Sequence, residues 1–175
     1  QEEEKHCIYG EIGMGLGQTL FFNNMETKLQ NAYGGAFNPN LGNNLMMGFY
    51  YAPKKWKGLG LGSRIKGTFG TSVLGDFGDS YIFNYYNLAA TFKYFFSHKT
   101  FNKGYYLRLS VFFGQFTSKR VNEKINLYKH QYAIGASYML GLGYTLPFKR
   151  TALSIEAEFD YSSRNGTIDN IGDAR

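Results

Sequence analysis

The sequence predicts an all-β fold, an antiparallel transmembrane β-barrel, and three observations carry that prediction. The first is strict alternation. In TALSIEAEFDYS, residues 151–162, Leu153, Ile155, Ala157, Phe159 and Tyr161 fall on one side, and Ala152, Ser154, Glu156, Glu158 and Asp160 fall on the other. Successive side chains of a strand point to opposite faces, so this is a strand with one oily face and one charged face. The second is recurrence: the pattern returns several times, in segments long enough to cross a bilayer. The third is that no uninterrupted apolar run approaches the ~20 residues of a spanning helix. Mean hydropathy is −0.34. A barrel passes this test because only alternate residues meet lipid.

Seven strands are expected in order. The first, 7–22, sets Ile8, Ile12, Met14, Leu16 and Leu20 against Glu11 and a row of glycines. The second, near 45–52, is apolar on both faces (LMMGFYY), which leaves open an earlier start, around Gln30. The third, 59–71, sets Leu59, Leu61, Ile65 and Phe69 against Gly60, Gly62, Arg64 and Lys66. The fourth, 82–97, sets Tyr86, Leu88, Ala90, Phe92, Tyr94 and Phe96 against Asn87, Thr91 and Lys93. The fifth, 105–117, sets Leu107, Leu109, Val111 and Phe113 against Arg108, Ser110 and Gly114. The sixth, 131–146, sets Ile134, Tyr138, Leu140, Leu142 and Tyr144 against Gly135, Ser137, Gly141 and Gly143. The seventh is the opening stretch, and RNGTIDNIGDAR reads as a tail. One domain, 1–175, accounts for the whole chain.

The connections alternate between long and short. Short turns are expected at 53–58, 98–104 and 147–150, rich in Pro, Gly and charge. Long ones are expected at 23–44, 74–80 and 118–130. Outer-membrane barrels have short periplasmic turns and longer extracellular loops, which puts the N-terminus and the short turns in the periplasm. The start QEEEKH reads as a mature N-terminus left by signal-peptide removal. Single-chain bacterial barrels have even strand numbers, so eight strands are expected, the last lying beyond Arg175.

Side-chain volume decides which face is inside. An eight-stranded barrel has an interior just wide enough for side chains. The oily rows are too bulky for it, whereas the polar rows, rich in Gly, Ser, Ala and Thr, fit. The expected lipid face is therefore Leu88, Phe92, Leu107, Leu109, Val111, Ile134, Leu140, Leu142, Leu153, Ile155 and Phe159. Aromatics near the strand ends suggest two interfacial girdles. One comprises Trp56, Phe95, Phe96, Phe101, Tyr105, Tyr106, Tyr144 and Phe148; the other comprises Phe21, Phe22, Phe69, Tyr81, Phe83, Phe116, Tyr132 and Tyr161.

The same assignment puts Arg64, Lys66, Lys93 and Arg108 in the lumen with Glu11, Glu156, Glu158 and Asp160. Buried charges are costly unless paired, so these are expected to pair across the barrel and to fill it. A filled lumen implies a structural barrel, with a narrow small-solute conduit as the alternative.

These alternating strands, the short basic turns, and segments such as GGAFNPNLGNN and YYAPKKWKGLGLGSRIKG resemble the small outer-membrane β-barrel proteins of Gram-negative bacteria. The wealth of Tyr, Phe, Asn, Lys and Gly is most similar to those of the Bacteroidota. The resemblance implies an eight-stranded, non-enzymatic protein with a structural, adhesive or partner-binding role. Some members are accessory subunits of larger outer-membrane complexes.

Other chemistry is weakly supported. His6, His98 and His130 have no nucleophile at triad spacing, which argues against an outer-membrane lipid-modifying enzyme, the third reading. Asp76 and Asp79 sit in a turn-like GDFGDS and lack the further oxygen ligands of a calcium loop. GMGLG and GLGLG are strand glycines, since no Lys-Ser/Thr closes a phosphate loop. No catalytic set, metal site or cofactor is expected. The net charge of +6 is scattered rather than gathered on one face, which argues against nucleic acid. The expected partners are outer-membrane lipid and lipopolysaccharide, together with a larger outer-membrane complex. Candidate partner loops are the long first one, with Tyr33, Phe37 and Leu41, and a basic third one, with Lys119, Arg120, Lys124 and Lys129.

Overall fold

The computed structural model describes residues 7–20, 22, 40–70, 73–74, 80–168 and 172–174. They form one antiparallel sheet and no α-helix. Seven long strands follow one another as a meander: β1 (Ile8–Thr19), β2 (Asn40–Tyr51), β3 (Leu59–Gly70), β5 (Ser80–Phe95), β6 (Gly104–Asn122), β7 (Leu127–Pro147) and β8 (Ala152–Ile168). Two short ones complete the order: β4 (Val73–Leu74) pairs with β5, and β9 (Gly172–Ala174) pairs with β8. The sheet curls into a half-barrel whose edges, β1 and β8, do not pair with each other.

The seven strands are those expected, with shifted ends. β8 continues six residues past the predicted limit and takes in Arg164, which the sequence reading left in the tail. The largest correction concerns the basic third loop. Residues 118–130 are mostly strand: β6 and β7 extend over it in register, with Lys119 opposite His130 and Arg120 opposite Lys129. Only a single 3-10 turn, Glu123–Ile125, joins them. Its start is held by the Asn122 side chain, which accepts from the Lys124 amide at 3.1 Å. Its end is Asn126, in the left-handed region that Asn tolerates.

The polar rows face inward. Arg64 is 0% exposed and Lys93 1% exposed, whereas Leu88, Phe92, Leu109, Val111, Ile134, Leu140 and Leu142 all lie open on the convex face. Leu107, in the same row between Tyr94 and Leu142, is half-buried. β2, ambiguous in sequence, obeys the rule: Leu45, Met47, Phe49 and Tyr51 face out, and Tyr50 is buried within. Glycines on the concave side make room. A Cβ on Gly143 would collide with the Tyr106 ring, and one on Gly60 with the Phe101 ring.

The girdle expectation needs revision. Phe96, Tyr105, Tyr144, Phe148, Phe69, Tyr132 and Tyr161 are exposed on the outside, but Phe95, Tyr106, Phe83 and Phe116 are buried inside. They share the rows of Lys93 and Arg108, so the pleat turns them inward.

Candidate functional site: a charged interior with an aromatic base

The interior is built in layers. At the short-turn end lies an aromatic floor. The turn between β5 and β6 carries Lys99 and Asn102 at positive φ, and Gly104 at φ 82, where a side chain would be strained. This backbone folds Phe101 back under the barrel. Its ring lies 4.7 Å from that of Tyr9, 5.7 Å from Tyr50 and 5.1 Å from Phe95, which in turn touches Tyr106 at 5.0 Å.

Above the floor sits the ion-pair network. Glu11 of β1 meets Lys93 of β5 at 2.8 Å and Arg108 of β6 at 2.7 Å. Arg108 also reaches Glu156 of β8 at 3.0 Å, and Glu156 accepts from the Tyr106 hydroxyl at 2.7 Å. Glu158 of β8 pairs with Arg64 and, at 2.6 Å, with Lys66, both on β3; Asp160 also pairs with Lys66. The Lys93 ammonium lies 4.2 Å from the Tyr106 ring centre, a favourable cation–π distance. All eight expected lumen charges thus join in pairs, as the cost of burying charge requires.

The two signs are segregated by strand, as the strand assignments from sequence imply. The four cations stand on the central strands β3, β5 and β6. The four acids stand on the edge strands β1 and β8 and reach across the interior. A fifth interior cation, Arg164, was missed. It belongs to the same even-numbered row as Glu156, Glu158 and Asp160, and that parity was the available signal. Arg164 donates to Asn87 Oδ1 at 2.7 Å and Ser137 Oγ at 3.2 Å and lies over the Tyr85 ring. The layer above the charges is otherwise neutral, with Phe112, Ala89 and Met139 packed together and Phe83 stacked on Phe116.

A cavity of about 1560 Å³ runs through the interior and opens between β1 and β8, since both faces of these two strands line it. Among the described residues no cluster of His, Cys, Asp or Glu could hold a metal. His98 lies in the exposed β5–β6 turn, 3.0 Å from the Ser97 hydroxyl; that hydroxyl also accepts from the Tyr105 amide, so it ties the turn together.

Of the candidate partner residues, Leu41 is exposed near the start of β2 and Lys124 is exposed in the β6–β7 turn. Lys119 and Arg120 belong to β6 and Lys129 to β7. Tyr33, Phe37, Asp76, Asp79 and His6 lie outside the described residues. No family model and no curated protein matches the chain.

Proposed function

We propose that this chain is an eight-stranded transmembrane β-barrel of a bacterial outer membrane, with its N-terminus and short turns periplasmic and its long loops extracellular. It acts as a non-enzymatic structural or accessory subunit, with its apolar face toward lipid or a larger outer-membrane complex. The observation that carries the membrane assignment is the inversion of the usual globular pattern. The inward rows bury Arg64, Lys66, Lys93 and Arg108, whereas the outward rows expose Leu, Ile, Phe and Met. In water such a convex face would be an apolar patch far beyond what a soluble monomer exposes. Strands of 12 to 21 residues exceed the ~9–11 that a tilted crossing needs.

The strand number finds support in the ion pairs. In a ring of eight, the first strand faces the fifth and the third faces the seventh. Glu11 on the first long strand pairs with Arg108 on the fifth, and Arg64 and Lys66 on the third pair with Glu158 on the seventh. Because the meander has seven long strands, β1 and β8 run parallel to each other. One strand antiparallel to both closes the gap.

The structural role rests on the ion pairs that bridge the interior. A paired charge layer over the Phe101 floor favours a plugged barrel over a conduit. Two measurements test the proposal. The protein purified without detergent should aggregate, whereas in micelles it should stay monodisperse and β-rich; full solubility in plain buffer would end the membrane reading. Extraction from native membranes in mild detergent should yield a species larger than the lone chain, and a lone chain at every stage would remove the accessory role.

A further inference from the structure

We infer that the gap between β1 and β8 is a strand-acceptor site that selects its occupant by charge: the strand that closes it carries an inward carboxylate beside Arg164. This rests on the barrel reading above and goes beyond it, by saying what the closing strand must present and where. Among the described residues β1 has no neighbour on its outer side, and β8 has one only at its end, where β9 covers Gly166–Ile168. The outward residues Ile12 and Met14 of β1 are 83% and 85% exposed, and Ile155 of β8 is 77%, against 46% for Leu109 on the central β6. A side chain in a sheet is normally flanked on both sides, and these edge rows lack one flank.

Direction narrows the choice of occupant. Both edges point the same way, so only a strand of opposite direction makes antiparallel ladders with both. A second copy inserted in the same orientation offers only edges of the wrong direction. β9 shows the right direction. β9 comes last in the sheet order and runs antiparallel to β8, with Ala174 opposite Gly166 and Gly172 opposite Ile168. Extending that register two steps past Ala174 reaches Arg164. Directly paired residues share a face, so this position points inward as Arg164 does. The occupant is therefore a strand that follows the β9 register along β8.

Charge sets the side chain. Among the described residues the interior holds five cations, Arg64, Lys66, Lys93, Arg108 and Arg164, against four acids, Glu11, Glu156, Glu158 and Asp160. Among the described residues Arg164 contacts no carboxylate; its partners are an amide oxygen and a hydroxyl. Its Nε and Nη1 are buried without a hydrogen-bond partner. A carboxylate on the adjacent strand balances the count and meets a guanidinium that has donors to spare.

The test appends to the full 175-residue chain a strand of about ten alternating residues. Its first position, the one facing Arg164, is glutamate in one variant and lysine in another. Folding is read in detergent micelles as the fraction that stays compact on unheated gel electrophoresis. The glutamate strand should give a closed fraction roughly tenfold above that of the lysine strand, and Arg164→Glu should reverse the order. Equal closure by both strands, or an order unchanged by Arg164→Glu, overturns the inference while leaving the barrel reading intact. Failure of every form to enter micelles condemns the barrel reading itself.

Discussion

The central wall and the two edges of this sheet are built differently. On β3, β5 and β6 the interior cations are sealed, flanked by a strand on each side. On β1 and β8 the acids are partly open, with 21% of the Glu11 side chain exposed and 36% of that of Asp160. A long, always-charged arginine is held where covering is complete, and the shorter carboxylates reach over from the margins. The lesson concerns curvature. Backbone ladders alone fix neighbours, whereas each pair from Glu11 to Arg108 or from Glu158 to Arg64 joins opposite sides.

Breaking the wall should cost most. Arg108→Met removes the partner of Glu156 and one of two partners of Glu11, leaving buried acid uncompensated. A loss of about 3–5 kcal/mol is expected, measured by urea unfolding in micelles with the single Trp56 as reporter. Next comes the outside of the same strand. Leu109→Lys should cost about 2–4 kcal/mol in bilayers, the range for a lipid-facing row near the midplane; a cost near zero would sink the lipid-facing assignment. Phe101→Ala should cost about 2 kcal/mol, below the range for a fully buried ring because Phe101 is only half-buried. It should also raise conductance in planar bilayers. A variant as silent as the parent protein would mean that the charge layer, not the floor, closes the tube. The smallest effect belongs to the margin: Asp160→Asn leaves Lys66 paired with Glu158 and should cost under about 1 kcal/mol. If it matched Arg108→Met, the contrast between wall and edges would disappear.

Much of this was legible because a pleated strand has a period of two and cannot hide it. Leu153 to Tyr161 announced both faces of β8, and side-chain bulk announced which faced in. The same arithmetic could have turned Phe95 and Tyr106 inward, since each is an even number of residues from Lys93 or Arg108. Their closeness to strand ends concealed it. Phe101 was unreadable for a different reason. It lies in an irregular turn, and its position depends on left-handed residues at Lys99 and Asn102 rather than on any repeat. The β6–β7 extension was hidden because alternation of polarity ends where the apolar band ends, although pairing continues. The pair Asn122 and Asn126 around Glu-Lys-Ile was the only local sign of its tip.

The ring of phenyl and phenol groups at the short-turn mouth has a consequence for the cell that carries this protein. In the outer-membrane barrel proposed above, a stopper of that kind would let the molecule be made in large numbers without puncturing the envelope, so that its abundance carried no osmotic penalty.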